Sequence, residues 1–207
     1  PSPPAPPPAP PRPAFWIRHP RAFTVTTGAL IGLAMIAFWT AFHLPGHSPG
    51  DDYALYINQA RSLIHGDVGE TLGNNRYTVE NSAWHTFSPY AYPWGLPLLL
   101  APVLAVFGSV DLESGIDYAP LKFVICVCLA VALLALFAVA RRRTHVVGAA
   151  LLVVFFATNF WWVLHTDSVL SEFPFLMCVL LFVWWADTLR ERGELLSGAA
   201  RWRLATL

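Results

Sequence analysis

Of 207 residues, 56% are hydrophobic and only 13% are charged, a balance too apolar for an ordinary water-soluble domain and suited to lipid as the solvent. The 13 basic and 13 acidic residues cancel formally, so no overall field favours a nucleic-acid backbone, and nucleic acid is not an expected partner. The three cysteines, Cys126, Cys128 and Cys178, fall inside apolar runs, where a thiol behaves as a small hydrophobe and says nothing about redox compartment.

The chain begins with a stretch, residues 1–14, that is nearly all Pro and Ala; it favours extended polyproline II, offers no core, and reads as a disordered tail. With no initiator Met, and with Arg201 to Leu207 leading from a basic flank toward another apolar run, residues 15–207 read as the N-terminal part of a longer multi-pass chain. Four segments have the length and apolarity to cross the roughly 30 Å of hydrocarbon as helices: residues 22–44, 121–140, 146–164 and about 169–189. The predicted class is therefore an all-α polytopic membrane protein with about four transmembrane helices. Trp94 to Phe107 is also apolar, but it is short for a span and contains Pro97 and Pro102.

Whether that stretch crosses decides the topology, and the basic residues arbitrate, because Arg and Lys accumulate in short cytoplasmic loops. If it does not cross, ten basic residues, including Arg12, Arg18, Arg21, Arg141 to Arg143, Arg190, Arg192, Arg201 and Arg203, share one side, against Arg61, Arg76 and Lys122 on the other. If it crosses, most of them move outside. The expected arrangement is therefore a cytoplasmic N-terminus, a plasma (inner) membrane location, and a large outer loop over residues 45–120. Within that loop Tyr53, Tyr56, Ile57, Ala60, Leu63 and Ile64 recur at helical spacing and predict an interfacial helix. Trp94 to Phe107 is expected as a second interfacial helix or a shallow re-entrant segment.

Three groups on the expected outer side carry potential chemistry. Asp51 and Asp52 form a carboxylate pair directly after the first span. The plainer reading of an Asp there is a helix cap, which its charge also suits. His165 to Phe175 is the short turn between the last two spans, with Asp167 and Glu172 near membrane depth and Ser168 or Ser171 available to cap the following helix. An acid so close to hydrocarbon requires water, a cation or a partner. Glu172 and Asp167 are thus candidate ligands for a divalent cation, and Asp52 and Glu172, carboxylates from separate loops on the same side, suffice to anchor one that keeps water and substrate phosphate as its other ligands. Phe87 to Pro97 combines two tyrosines, a Trp, three prolines and a Gly, a rigid aromatic surface that suits either an interfacial anchor or the wall of a sugar or headgroup pocket.

In this order, Asp51-Asp52 with Tyr56, Ala60-Arg61 and Gly66-Asp67, then Tyr92-Pro93-Trp94-Gly95, then Asp167 to Phe175, resemble the glycosyltransferase C superfamily. The likeness is greatest to the branch of dolichyl-phosphate-mannose protein mannosyltransferases and lipid A aminoarabinose transferases, and it covers Ala22 to Leu207. The resemblance implies a membrane glycosyltransferase that moves a sugar from a polyprenyl-phosphate donor to a lipid, glycan or protein acceptor on the outer face. It implies a catalytic role for Asp52, four residues before Tyr56, with Asp51 beside it, and substrate contacts at Tyr56, Arg61, Tyr92, Pro93, Trp94 and Lys122. Leu55 and Tyr92 stand where that family has an Arg and a Lys. A transporter or a non-catalytic membrane scaffold is the alternative from another class; a transporter predicts charges deep inside the spans and helices broken at the midplane.

Overall fold

The computed structural model describes residues 20–47, 52–82, 90–107 and 118–192. The Pro-rich segment 1–14, Asp51 and residues 193–207 lie outside the described residues. Among the described residues eight helices follow in chain order: α1 (Pro20–Thr40), α2 (Tyr53–His65), α3 (Val68–Asn81), α4 (Gly95–Phe107), α5 (Ala119–Arg143), α6 (Val146–Ala157), α7 (Phe160–Thr166) and α8 (Glu172–Glu191). Among the described residues there is no strand. Among the described residues three helices are long and apolar enough to cross a membrane, namely α1, α5 and α8, and the bent pair α6 and α7 makes a fourth if taken as one span. The protein is an all-α, multi-pass membrane protein.

The central helix is α5. At 25 residues it is about 37 Å long at the usual rise per residue, and α1, α4, α6 and α8 all pack against it. Its approach to α1 is close because Gly28 faces Phe137 and Gly32 faces Leu134, where an added Cβ at Gly32 would lie 3.2 Å from the Leu134 side chain. Small residues at such a crossing let two backbones approach without hydrophobic driving force, as helix pairing in lipid requires. The pairing also sets α1 and α5 antiparallel. Arg21 therefore lies at the same end as Arg141 to Arg143, and Thr40 at the same end as Lys122.

Residues 146–164 do not form the one continuous span that their apolarity predicts. The helix breaks at Thr158 and Asn159, and α7 turns away from α6 by 63°. The cause is local. Asn159 spends its side-chain oxygen on the backbone N–H groups of Trp161 and Trp162, at 3.1 and 3.4 Å, and so starts a new helix instead of continuing the old one. The break frees the Ala157 carbonyl, and the fully buried Trp39 indole N–H donates to it at 3.0 Å from α1. Interrupted backbone inside a membrane protein persists where such groups are re-satisfied. Trp39→Phe keeps most of the apolar volume and leaves that carbonyl unpaired. The expected loss is about 1–3 kcal/mol, read as a lower midpoint of unfolding in detergent; an unchanged midpoint would remove this account of the break.

Two other boundaries shift. The first span ends at Thr40, with Ala41 and Phe42 in a turn and His43 and Leu44 in irregular chain beyond it, and the last helix begins at Glu172 rather than Val169. The helix predicted from Tyr53 onward is present as α2, but its packed face is not the predicted apolar set. Tyr56, Ile57 and Ala60 are buried together with the polar Gln59 and Ser62, whereas Ile64 is 42% exposed. This face meets α4, a 13-residue helix of about 20 Å that is too short to cross. Gly66, at φ 77, closes α2, where its N–H and that of Asp67 both reach the Ser62 carbonyl.

Candidate functional site

The turn at residues 167–171, between α7 and α8, is tied to the far earlier segment 43–56 by three side-chain contacts. The Lys122 ammonium donates to Asp167 Oδ1 at 2.6 Å and to the Leu44 carbonyl at 2.8 Å, while the Leu44 N–H donates to the same Asp167 oxygen at 3.0 Å. His47 accepts from the Val169 N–H at 2.9 Å through Nε2, with its ring stacked 3.7 Å from that of Tyr53. The Tyr56 hydroxyl donates to Ser171 Oγ at 2.9 Å. These contacts bring the first-loop helix α2 against the start of α8.

Asp52 occupies the N-cap position of α2, yet its side chain makes no capping hydrogen bond. The Asp52 main-chain carbonyl already accepts from Leu55 and Tyr56 N–H groups, and the carboxylate itself belongs to an exposed residue. The plainer reading, a side-chain cap, is therefore not what this carboxylate does. The same holds for Ser171, which precedes α8 without capping it and accepts the Tyr56 hydroxyl at its Oγ instead.

Asp52 and Glu172 meet electrostatically at the Tyr56 phenol. Burial raises the pKa of Tyr56 above the usual range; the bond to Ser171 opposes this, and the negative charges of Asp52 and Glu172 push it further up. Tyr56 thus stays a protonated hydrogen-bond donor between two acids. Its ring packs 4.9 Å from Tyr92. The Tyr92 backbone is held from α2 by Gln59, which donates through Nε2 to the Tyr92 carbonyl at 3.0 Å and accepts from the Tyr92 N–H at 2.8 Å. This buried clamp fixes the entry into Pro93 and Trp94.

Pro93 and Ser171 open onto a mostly apolar cavity of about 430 Å³. Pro93, Leu96 and Leu99 line one side, and Ser171, Pro174, Phe175, Met177 and Cys178 the other. Ser171 is the shared point: its hydroxyl bonds Tyr56, and the residue itself lines the cavity.

The expected site residues therefore divide. Tyr56 bonds Ser171 and packs on Tyr92, Pro93 lines the cavity together with Ser171, Asp52 and Glu172 act through their charge on Tyr56, and Trp94 is half-buried in the segment between Pro93 and α4. Arg61 lies further along α2, where burial lowers its pKa from the ordinary Arg value, the neighbouring Tyr118 opposes this, and one terminal nitrogen is buried with no hydrogen-bond partner among the described residues. Lys122, 1% exposed, spends its ammonium on Asp167 and Leu44 rather than presenting it to the cavity. Asp167 is correspondingly engaged. No group of three or more His, Cys, Asp or Glu side chains that could hold a metal ion occurs among the described residues. Asp51 lies outside the described residues.

Gln59, His47 and Trp39 organise this end of the molecule without having been expected from the sequence. Gln59 alone gave a signal, being a polar residue inside the repeat of apolar positions on α2. Comparisons with protein-family models, with curated proteins and with solved structures find no match for this chain.

Proposed function

We propose that this protein is a membrane glycosyltransferase that moves a sugar from a polyprenyl-phosphate donor to an acceptor hydroxyl, with the reacting groups on the outer face. The observation that carries the reading is the chain of contacts from α2 to the cavity: Asp52, one turn before Tyr56, makes no capping bond, Tyr56 donates to Ser171, and Ser171 lines the apolar cavity between α4 and α8. A lipid-linked sugar needs such a pairing, with its tail against apolar side chains and its reacting carbon near a base.

In this reading Asp52 takes the proton of the acceptor hydroxyl as the oxygen attacks the sugar's anomeric carbon. The bond from that carbon to the phosphate oxygen breaks, and its electron pair leaves with the polyprenyl phosphate. Tyr56 and Ser171 provide hydroxyls at the same point, and Tyr92, Pro93 and Trp94 form a wall for the sugar. A divalent cation at Glu172 belongs to the proposal only as a counter-charge for the phosphate. The acceptor class, whether lipid, glycan or protein, is left open by this chemistry.

The test is transfer from a polyprenyl-phosphate sugar by the full-length protein in vesicles, with and without a chelator. Label appearing in acceptor supports the reading, absence of transfer with every acceptor class opposes it, and survival in chelator removes the cation. Sidedness has its own test. The ten-to-three division of basic residues places Arg141 to Arg143 in the cytoplasm. Cysteines introduced at Asn75 and Thr144 should differ toward a membrane-impermeant thiol reagent on intact cells, with Asn75→Cys labelled and Thr144→Cys protected. Labelling at position 144 would invert the orientation.

A further inference from the structure

The end of the molecule opposite Asp52 holds a second cluster of charges, where α5 and α8 finish. Asp187, a largely buried carboxylate, receives Arg142 at 2.9 Å, Arg143 at 2.5 Å and Arg190 at 3.3 Å. Arg142 also contacts Glu191 at 3.4 Å and donates to the Thr188 hydroxyl at 2.7 Å. Two carboxylates, Asp187 and Glu191, thus stand against five arginines of the two helix ends, Arg141, Arg142, Arg143, Arg190 and Arg192. The antiparallel fit of α1 on α5 adds exposed Arg21 at the same end.

The pairing within the cluster is incomplete. Arg143 and Arg190 share Asp187 with Arg142, and their side chains remain 48% and 64% exposed. Arg192 is exposed, and Arg141 has its Nε buried with no hydrogen-bond partner among the described residues, although its terminal nitrogen donates to the Thr144 carbonyl. Asp187 and Glu191 neutralise part of the charge and fix the position of the guanidinium groups; the surplus faces outward at the ends of three spans. A planar guanidinium held in place matches a phosphate ester by bidentate hydrogen bonding.

We propose that this arginine end is a binding surface for anionic phospholipid headgroups, with the phosphate ester of the leaflet at that end as the recognised group. Lipid is favoured over other anions by position, because the guanidinium groups lie where the spanning helices α1, α5 and α8 leave the hydrocarbon and a headgroup phosphate is present at that depth. The inference is independent of the role of Asp52 and of which leaflet this end faces.

The full-length protein, reconstituted with spin-labelled phosphatidylglycerol or phosphatidylcholine, tests this through the fraction of motionally restricted lipid. The expected result is a severalfold preference for phosphatidylglycerol that falls toward none in high salt, which screens exposed charges. Combining Arg143→Gln, Arg190→Gln and Arg192→Gln leaves Arg142 on Asp187 and should reduce the preference in a folded protein. If that variant does not fold, the salt titration of the unaltered protein decides alone. Equal association of the two lipids overturns the proposal, as does a preference unchanged in the folded variant. Displacement of the labelled lipid by an equal concentration of inorganic phosphate would assign the surface to a soluble anion and overturn it as well.

Discussion

Asp52→Asn is expected to slow sugar transfer by roughly 10²-fold to 10⁴-fold, the usual contribution of a positioned general base, while leaving the fold intact. Because the Asp52 side chain makes no capping bond and Asn is itself a favoured N-cap residue, the substitution removes charge and basicity and little else. A thermal melt in detergent should move little, and the rate of transfer from a polyprenyl-phosphate sugar should collapse. Glu172→Gln provides the comparison. Glu172 acts on the same Tyr56 phenol from the other helix, so a contribution to the donor phosphate or its cation appears as a weaker apparent affinity for donor. Near-normal turnover by Asp52→Asn would leave the carboxylate without a catalytic role and bring back the transporter and scaffold readings.

Asp167→Asn is expected to cost about 3–5 kcal/mol of stability, because it leaves the Lys122 ammonium, 1% exposed, without its counter-charge. Asn retains an oxygen for the Leu44 N–H, so the loss reports the charge rather than the turn. Adding Lys122→Met to the same chain removes the stranded charge and should recover much of the loss. Recovery by the double variant, measured as unfolding midpoints of the four proteins, gives the coupling between the two residues. Additive losses would show that Lys122 does not depend on Asp167.

The large elements were legible because lipid imposes a simple rule on sequence: α1, α5 and α8 announce themselves as long apolar runs. The helix α4 was legible as short and Pro-containing, and α2 as an amphipathic repeat. What composition cannot reveal is a residue whose importance lies in a distant partner. Asn159, beside Thr158, is a polar residue in an apolar run, and its side chain starts a new helix where Trp39, 118 residues away, takes the Ala157 carbonyl. Asp52 was visible as a candidate, but whether its carboxylate was spent on capping depended on backbone geometry. Lys122 was expected to meet phosphate and is instead held by Asp167, a pairing 45 residues apart that no local pattern encodes. The clustering of Tyr56 with Ser171 likewise arises from tertiary packing across 115 residues.

The contacts that fix the 167–171 turn span 115 to 123 residues of chain, from Tyr56 and Ser171 to Leu44 and Asp167. During synthesis, Leu44, His47 and Tyr56 leave the ribosome long before their partners exist. With insertion proceeding from the N-terminus, the α2 arm waits on the surface without its anchor until α5, α6 and α7 have entered the membrane. A nascent chain arrested before Asp167 would hold Asp52 on an arm still lacking its Asp167, Val169 and Ser171 partners. Closure of so long a loop is entropically slow, so docking of the α2 arm on this turn is a late step that follows insertion of the spans.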